Sequence, residues 1–127
     1  MSNEKNSPTQ SASIEAVVDG QDQGFSPSQF SGSSSKVRMD ADDSTYLAID
    51  YGSSLTPGTH TLSSTTFKVK YKDPAGRDFT HAVAGTIVVK VVGNTHTGTL
   101  AGVKVDGTGS GAGSQVELSG TYLIVVS

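Results

Sequence analysis

The acidic loop Asp40-Ala41-Asp42-Asp43-Ser44 is the part of the chain whose residue types best suit metal binding. Clustered carboxylate oxygens are the hard ligands that Ca²⁺ prefers, but an EF-hand loop also needs a turn glycine and a distal glutamate, which are missing here. Aspartate is also common at hairpin tips, because it favours turns and stays solvated there. Asp40, Asp42 and Asp43 are therefore calcium candidates, with a solvated hairpin tip as the favoured interpretation.

A row of lysines, Lys68, Lys70 and Lys72, occupies alternate positions of one segment. In a strand these side chains share a face and form a basic ridge about 13 Å long. One interpretation is a docking surface for an acidic partner. The other is a solvated sheet face whose lysines also guard against edge pairing, and it is favoured by nearby Asp73 and Asp78. These lysines are the predicted partner surface.

The remaining reactive residues form no catalytic pattern. His60, His81 and His96 are widely separated and lack H-x-H or H-E-x-x-H spacing, so we expect ordinary surface or strand-end residues. No serine lies in G-x-S-x-G, most carboxylates fall in turns, and the absence of cysteine excludes thiolate chemistry. The sequence thus predicts a protein that is not an enzyme, with no catalytic residues and no cofactor.

Length and charge bound the class of protein. A chain of 127 residues suits a single domain. A formal charge of −3 gives no reason to expect nucleic acid as a partner. No run approaches the roughly 20 apolar residues of a transmembrane helix, so no transmembrane segment is expected.

Alternation of apolar and polar residues predicts an all-β fold. It is strict in Phe67-Lys68-Val69-Lys70-Tyr71-Lys72, which indicates an antiparallel sheet with one wet face. We expect an immunoglobulin-like antiparallel β-sandwich of about seven or eight strands. The segment from Phe79 to Val92 should be buried on both faces, and the last strand should be internal or well covered because it is too apolar for an open edge. The expected strands cover residues 14–18, 37–39, 47–51, 59–62, 67–72, 79–92, 97–106 and 115–126.

Two stretches of low complexity flank or interrupt these strands. Residues 1–13 are polar and aperiodic, which predicts a disordered tail before a single domain at 14–127. The glycine-rich stretch 107–114 predicts a flexible loop. A small-Gly-Thr-apolar pattern recurs at Gly85, Gly98 and Gly120, where we expect glycine to admit a close backbone or a cross-strand ring.

These short motifs resemble those of a group of small bacterial β-sandwich lipoproteins of unknown function. His60 and Leu100 depart from that pattern, because aromatic residues would be expected there. The resemblance covers about residues 14 to 126 and supplies no catalytic residues. The motifs are Leu55-Thr56-Pro57-Gly58-Thr59-His60-Thr61-Leu62, Gly85-Thr86-Ile87-Val88-Val89, Gly98-Thr99-Leu100 and Val116-Glu117-Leu118-Ser119-Gly120-Thr121-Tyr122.

The resemblance implies a lipid-anchored protein of the bacterial envelope or periplasm. Residues 2–13 would then be the polar tether, and Met1 would replace a signal peptide and its lipidated cysteine. The alternative is a native Met1 and a cytoplasmic protein.

Three functions remain open at this point. The first is a non-enzymatic binding or structural module for an unknown protein or envelope component. The second is a self-assembling homo-oligomeric subunit, such as a phage or secretion-apparatus component, that pairs through its tail or an edge strand. The third is a small hydrolase whose site forms only in the fold.

Overall fold

The computed structural model describes residues 10 to 126, which form ten β-strands and one 3₁₀ turn at Gly109–Gly111. All strand pairings within that range are antiparallel, so the predicted all-β antiparallel fold is confirmed. No helix in this part of the chain has the length and apolar character needed to cross a membrane. The strands are β1 (Ser11–Val18), β2 (Gln21–Asp22), β3 (Gln29–Gly32), β4 (Lys36–Asp40), β5 (Tyr46–Asp50), β6 (Gly58–Ser63), β7 (Lys68–Lys72), β8 (Asp78–Val92), β9 (Thr95–Thr108) and β10 (Gln115–Val125).

One curled sheet contains all ten strands, in the order β2-β1-β10-β9-β8-β7-β5-β4-β3, with β6 also paired to β8. The long strand β8 joins its two parts, because its first residues pair with β7 and residues 86–91 pair with β6. Register shifts between Phe79 and Thr86 allow β8 to bend along its ladder with β9. Gly85, at φ +101°, lies in this bend, where a Cβ would collide with the backbone of Val103.

The core lies on the inner side of the curl and is built from alternate residues of each strand. In β7, Val69 and Tyr71 are buried while Lys68 and Lys70 are exposed, as the strict alternation predicts. β10 lies between β1 and β9, so the prediction of an internal last strand is confirmed. Burial of these apolar side chains is the main stabilising contribution, roughly 25 cal/mol per Å² of apolar area.

The strand count exceeds the predicted seven or eight. All eight expected strands are present, and the two additional ones, β2 and β3, lie in the region between the first two expected strands. β3 escapes the periodicity because it has only four residues among serines, yet it pairs along its whole length with β4. The expectation that Phe79 to Val92 is buried on both faces is wrong, because Val92 is 62% exposed and Val88 only half-buried.

The predicted boundaries at the N-terminus and at the glycine-rich loop also change. β1 begins at Ser11 rather than at residue 14, because 11–13 pair in register with β10 and Ala12 packs on the core. The rest of the predicted tail, residues 1–9, lies outside the described residues. In the glycine-rich stretch, Gly111 is buried so closely against the Asp78 backbone that no Cβ would fit, which is packing that composition alone did not predict.

A candidate anion-binding face

The outer side of β4, β5 and β7 carries three rows of side chains, all polar except Ala48. These strands are neighbours in the sheet, so residues directly opposite each other share one face. In each row a residue of β5 stands between one of β4 and one of β7. The rows are Lys36 with Asp50 and Lys68; Arg38 with Ala48 and Lys70; and Asp40 with Tyr46 and Lys72. We call this surface the cationic face.

Two cationic ridges border a groove on this face. Lys36 and Arg38 of β4 lie on one side, and the lysines of β7 lie about 10 Å away, two strand spacings across the sheet. Ala48, with only a methyl group, forms the floor between them. The resulting groove has a volume of about 570 Å³ and is also lined by Ser31 of β3 and Thr80 of β8.

Arg38 is held in place at one end of the groove. Its guanidinium lies 4.1 Å from the ring centroid of Tyr46, a cation–π geometry. Its Nε donates a hydrogen bond of 2.7 Å to Oδ1 of Asp40, and half of its side chain remains exposed. Lys70 Nζ lies 5.9 Å from the same Tyr46 ring. Tyr46 thus brings one cation from each ridge towards the same ring.

The charge of this face is opposite to that of the whole chain. It holds five of the nine lysine and arginine residues and only two carboxylates, a formal +3, whereas the chain is −3. All other residues together therefore carry −6. This separation of charge creates a local potential that attracts anions despite the acidic average.

The three lysines predicted as a partner surface lie on this face, which also includes cations that the sequence did not group with them. Lys68 and Lys70 are exposed on β7, and Lys72 is half-buried opposite Asp78. Sequence reasoning missed Lys36 and Arg38 as members of the same face. The alternation in Lys36-Val37-Arg38-Met39 indicates an outward pair, but only the sheet order shows that a single strand, β5, separates this pair from the lysine row.

Asp73, expected to weaken the lysine ridge, is instead buried and engaged elsewhere. Arg77 donates two hydrogen bonds to it, from its backbone N at 2.8 Å and from Nε at 2.7 Å, and Gln23 Nε2 donates a third at 3.1 Å. Burial alone would raise the pKa of Asp73, but these hydrogen bonds and the Arg77 charge together hold it below its usual value. Its charge is therefore matched by Arg77 rather than by the ridge.

The structure does not bring the calcium candidates together as ligands. Asp40 accepts the Arg38 bond, Asp42 accepts a hydrogen bond from Ser28 Oγ at 3.0 Å, and Asp43 accepts one from the Thr45 backbone N at 3.1 Å. Across residues 10–126, no three histidine or carboxylate side chains are grouped so that they could hold a metal ion. The loop connects β4 to β5, the hairpin position that its sequence favoured.

Of the three histidines, His96 departs from the expected surface position. It is only 1% exposed, and its Nδ1 lies 3.2 Å from the hydroxyl of Tyr51. That hydroxyl is also 2.7 Å from the hydroxyl of Tyr122. His81 is exposed, and His60 is partly exposed with its Nε2 2.6 Å from the Thr56 carbonyl oxygen. No spacing signal distinguished His96 from the other two.

Burial sets the protonation of this internal network. It lowers the pKa of His96, with a further lowering from the charge of His60. Burial also raises the pKa of Tyr51 to about 12, despite its hydrogen bond with Tyr122. The pKa of Tyr122 is raised by burial as well. The three groups are therefore neutral near pH 7, and they connect β9 and β10 to the residue that follows β5.

Comparisons with family models, curated protein sequences and solved structures found no match to this chain.

Proposed function

We propose that this protein is a non-enzymatic binding module whose cationic face docks an acidic segment of a partner protein. The observation that supports the proposal is the collection of five cations on one face, four of which line a single groove, in a chain of formal charge −3. Electrostatic complementarity of this kind favours fast encounter and fixes the orientation of a partner.

The spacing of the cations suits an extended acidic chain. Cations two residues apart on a strand are about 6.7 Å apart, which is also the spacing of alternate side chains in an extended peptide. Carboxylates at alternate positions could therefore meet Lys68, Lys70 and Lys72 in succession. Asp50 repels anions at the Lys36 end and Asp40 does so at the Lys72 end, so the strongest contacts are expected in the middle row, around Arg38 and Lys70.

A charge-reversal pair tests this proposal. The probe is a fluorescent twelve-residue peptide of alternating Glu and Ser, with binding followed by anisotropy. Lys70→Glu should weaken binding at least about tenfold, since it replaces attraction by like-charge repulsion. Lys104→Glu makes the same change of net charge on an exposed residue of β9, and we expect it to alter affinity less than about threefold.

Equal losses in both variants would show that the peptide senses only net charge, and would overturn the proposal. The proposal would also be overturned if Lys70→Glu left the affinity for the peptide unchanged. The matched positions make this distinction possible, because both lysines are exposed strand residues.

We further propose that the curled sheet is an immunoglobulin-like sandwich. We also propose that a lipid anchor holds the protein at a bacterial envelope. The support is the short motifs shared with the lipoprotein group and the polar composition of residues 2–13. Intact mass and membrane partitioning in the native host test the anchor. A diacylated or triacylated cysteine in the membrane fraction is the expected result, and a soluble protein that starts at Met1 or Ser2 would favour a cytoplasmic module.

A second candidate, a self-assembling subunit, is favoured by the edge of the sheet at β1. Among the described residues, β2 pairs with β1 only at Val17 and Val18, which leaves the outer edge of Ser11 to Glu15 without a strand partner. An open edge can template pairing with another chain. Assembly through two different edges is open-ended, so the mass measured by light scattering should then keep rising with concentration.

A further inference from the structure

A second exposed face lies across β6, β8, β9, β10 and β1, on the part of the sheet that the cationic face does not include. Residues opposite each other in the ladders again define rows that share one face. The rows are Val92 with Thr95 and Val125; Thr59 with Lys90, Thr97, Leu123 and Ser11; Thr61 with Val88, Thr99, Thr121 and Ser13; and Ser63 with Thr86 and Ala101. We call this surface the hydroxyl face.

Its composition is unusual for solvent-exposed sheet. Ten of its sixteen residues are threonine or serine, and Lys90 is the single charged one. A charged fraction of about 25–35% is the usual aim for the surface of a soluble designed protein. Val92 and Val125 are 62% and 37% exposed at one end of the face. The cores of protein interfaces, by contrast, are depleted of charge.

We propose that a second copy of this chain covers the hydroxyl face, in a twofold dimer packed sheet against sheet. A hydroxyl group both donates and accepts hydrogen bonds, so a threonine surface is complementary to itself. A twofold interface requires that self-complementarity, because the same patch serves both partners. The cationic face lacks it, since two copies of a +3 surface repel each other.

The size of the face indicates a weak dimer. Two rows cross five strands and two rows cross three, which gives about 500 Å² of sheet at standard spacings. Because the face is the outer side of the curl, two copies would bury at most about 1,000 Å², at the lower end of the range for specific complexes. Threonine is also frequent in strands because of its high strand propensity, which by itself would explain the many hydroxyl groups. It does not explain the exposed valines, which indicate a covered surface.

Sedimentation velocity between about 10 µM and 1 mM tests the dimer, since interfaces of this size bind weakly. The chain should move from monomer to dimer and stop there. A Thr99→Lys, Thr121→Lys variant should stay monomeric, because these two residues are directly opposed near the centre of the face. A Ser26→Lys, Gln29→Lys control makes the same change of charge at exposed positions outside both faces and should dimerise as the unmodified chain does.

Single cysteines give an independent readout, because the chain has none of its own. Under mild oxidation at about 0.5 mM, chosen for a weak interface, Thr99→Cys should form disulfide-linked dimers at least about tenfold faster than Gln29→Cys. Equal rates would overturn the proposal. The proposal would also be overturned if the chain stayed monomeric throughout the concentration range. The same holds for an open-ended rise in mass that the Thr99→Lys, Thr121→Lys variant does not affect.

Discussion

The phenol ring of Tyr122 lies directly on the backbone of Gly98, its partner across the β10–β9 ladder. A Cβ at position 98 would overlap the ring, so the absence of a side chain is what allows Tyr122 to occupy this position in the core. In this position the Tyr122 hydroxyl reaches the hydroxyl of Tyr51, which in turn faces His96. One glycine therefore determines the geometry of the whole buried polar network.

Gly98→Ala should destabilise the fold by about 2 to 3 kcal/mol, because the added methyl forces Tyr122 out of its position in a packed core. Urea unfolding followed by circular dichroism measures the change. Thr97→Ala, at the exposed neighbouring position, should cost less than about 1 kcal/mol. The contact with the ring can be tested by repeating the substitution in a Tyr122→Val background, where the side chain is smaller. If Gly98→Ala costs as much there as in the unmodified protein, the contact with the Tyr122 ring does not cause the loss of stability.

The buried His96 should make stability depend on pH near neutrality. Its pKa is lowered in the folded protein, so the unfolded chain binds more protons below the ordinary histidine pKa of about 6.5. The free energy of unfolding should therefore be fully developed above that pH and decline as the pH falls from about 6.5 through the lowered pKa of the folded state. Urea titrations across this window should show the decline.

Substitution at two histidines separates this effect from others. His96→Gln should be less stable at pH 7.5 but should show a flatter profile, since it removes the group that titrates. His81→Gln, at an exposed position, should keep the slope of the unmodified protein. A slope that persists in His96→Gln would assign the pH dependence to another group.

The buried carboxylate of Asp73 should stabilise the protein above about pH 4, the ordinary value for an unfolded aspartate. Its lowered pKa in the fold means that this contribution is lost as the pH falls through the folded pKa. Asp73→Asn should lower the free energy of unfolding by about 2 kcal/mol at pH 7, because it weakens the hydrogen bonds from Arg77 and Gln23. It should also lose less stability than the unmodified protein between pH 5 and pH 3.

Asp42→Asn is the matched control for this prediction. Asp42 is exposed and accepts only the hydroxyl of Ser28 among the described residues. Its substitution should change stability by less than about 0.5 kcal/mol, as expected for an ordinary surface site. Equal effects at positions 42 and 73 would show that burial of the carboxylate is not what matters.

Much of the architecture could be predicted from local pattern. The alternation of Phe67 to Lys72 determines which side chains face the core, and it places the lysines outward whatever the neighbours of the strand. The short β3 was missed because four residues flanked by serines are too few to show a recognisable alternation of apolar and polar side chains. Its pairing with β4 depends on tertiary context, with Phe30 packed against the core.

Only one of the two cationic ridges of the candidate site could be predicted from the sequence. Lys68, Lys70 and Lys72 share a strand, so their ridge follows from spacing alone. Lys36 and Arg38 join them only because β5 lies between β4 and β7 in the sheet, a non-local relationship that spacing does not encode. Burial of His96 is non-local too, because it depends on Tyr51, which lies 45 residues away in the chain.

Residue-resolved NMR of the unmodified protein, titrated with the Glu-Ser peptide, tests the central claim most directly. The proposal predicts saturable shifts concentrated on β4, β5 and β7, largest around Arg38 and Lys70, and reduced by added salt. The hydroxyl face should show no comparable shifts. Shifts spread over both faces, or confined to residues outside these three strands, would contradict the assignment of the cationic face as the binding site.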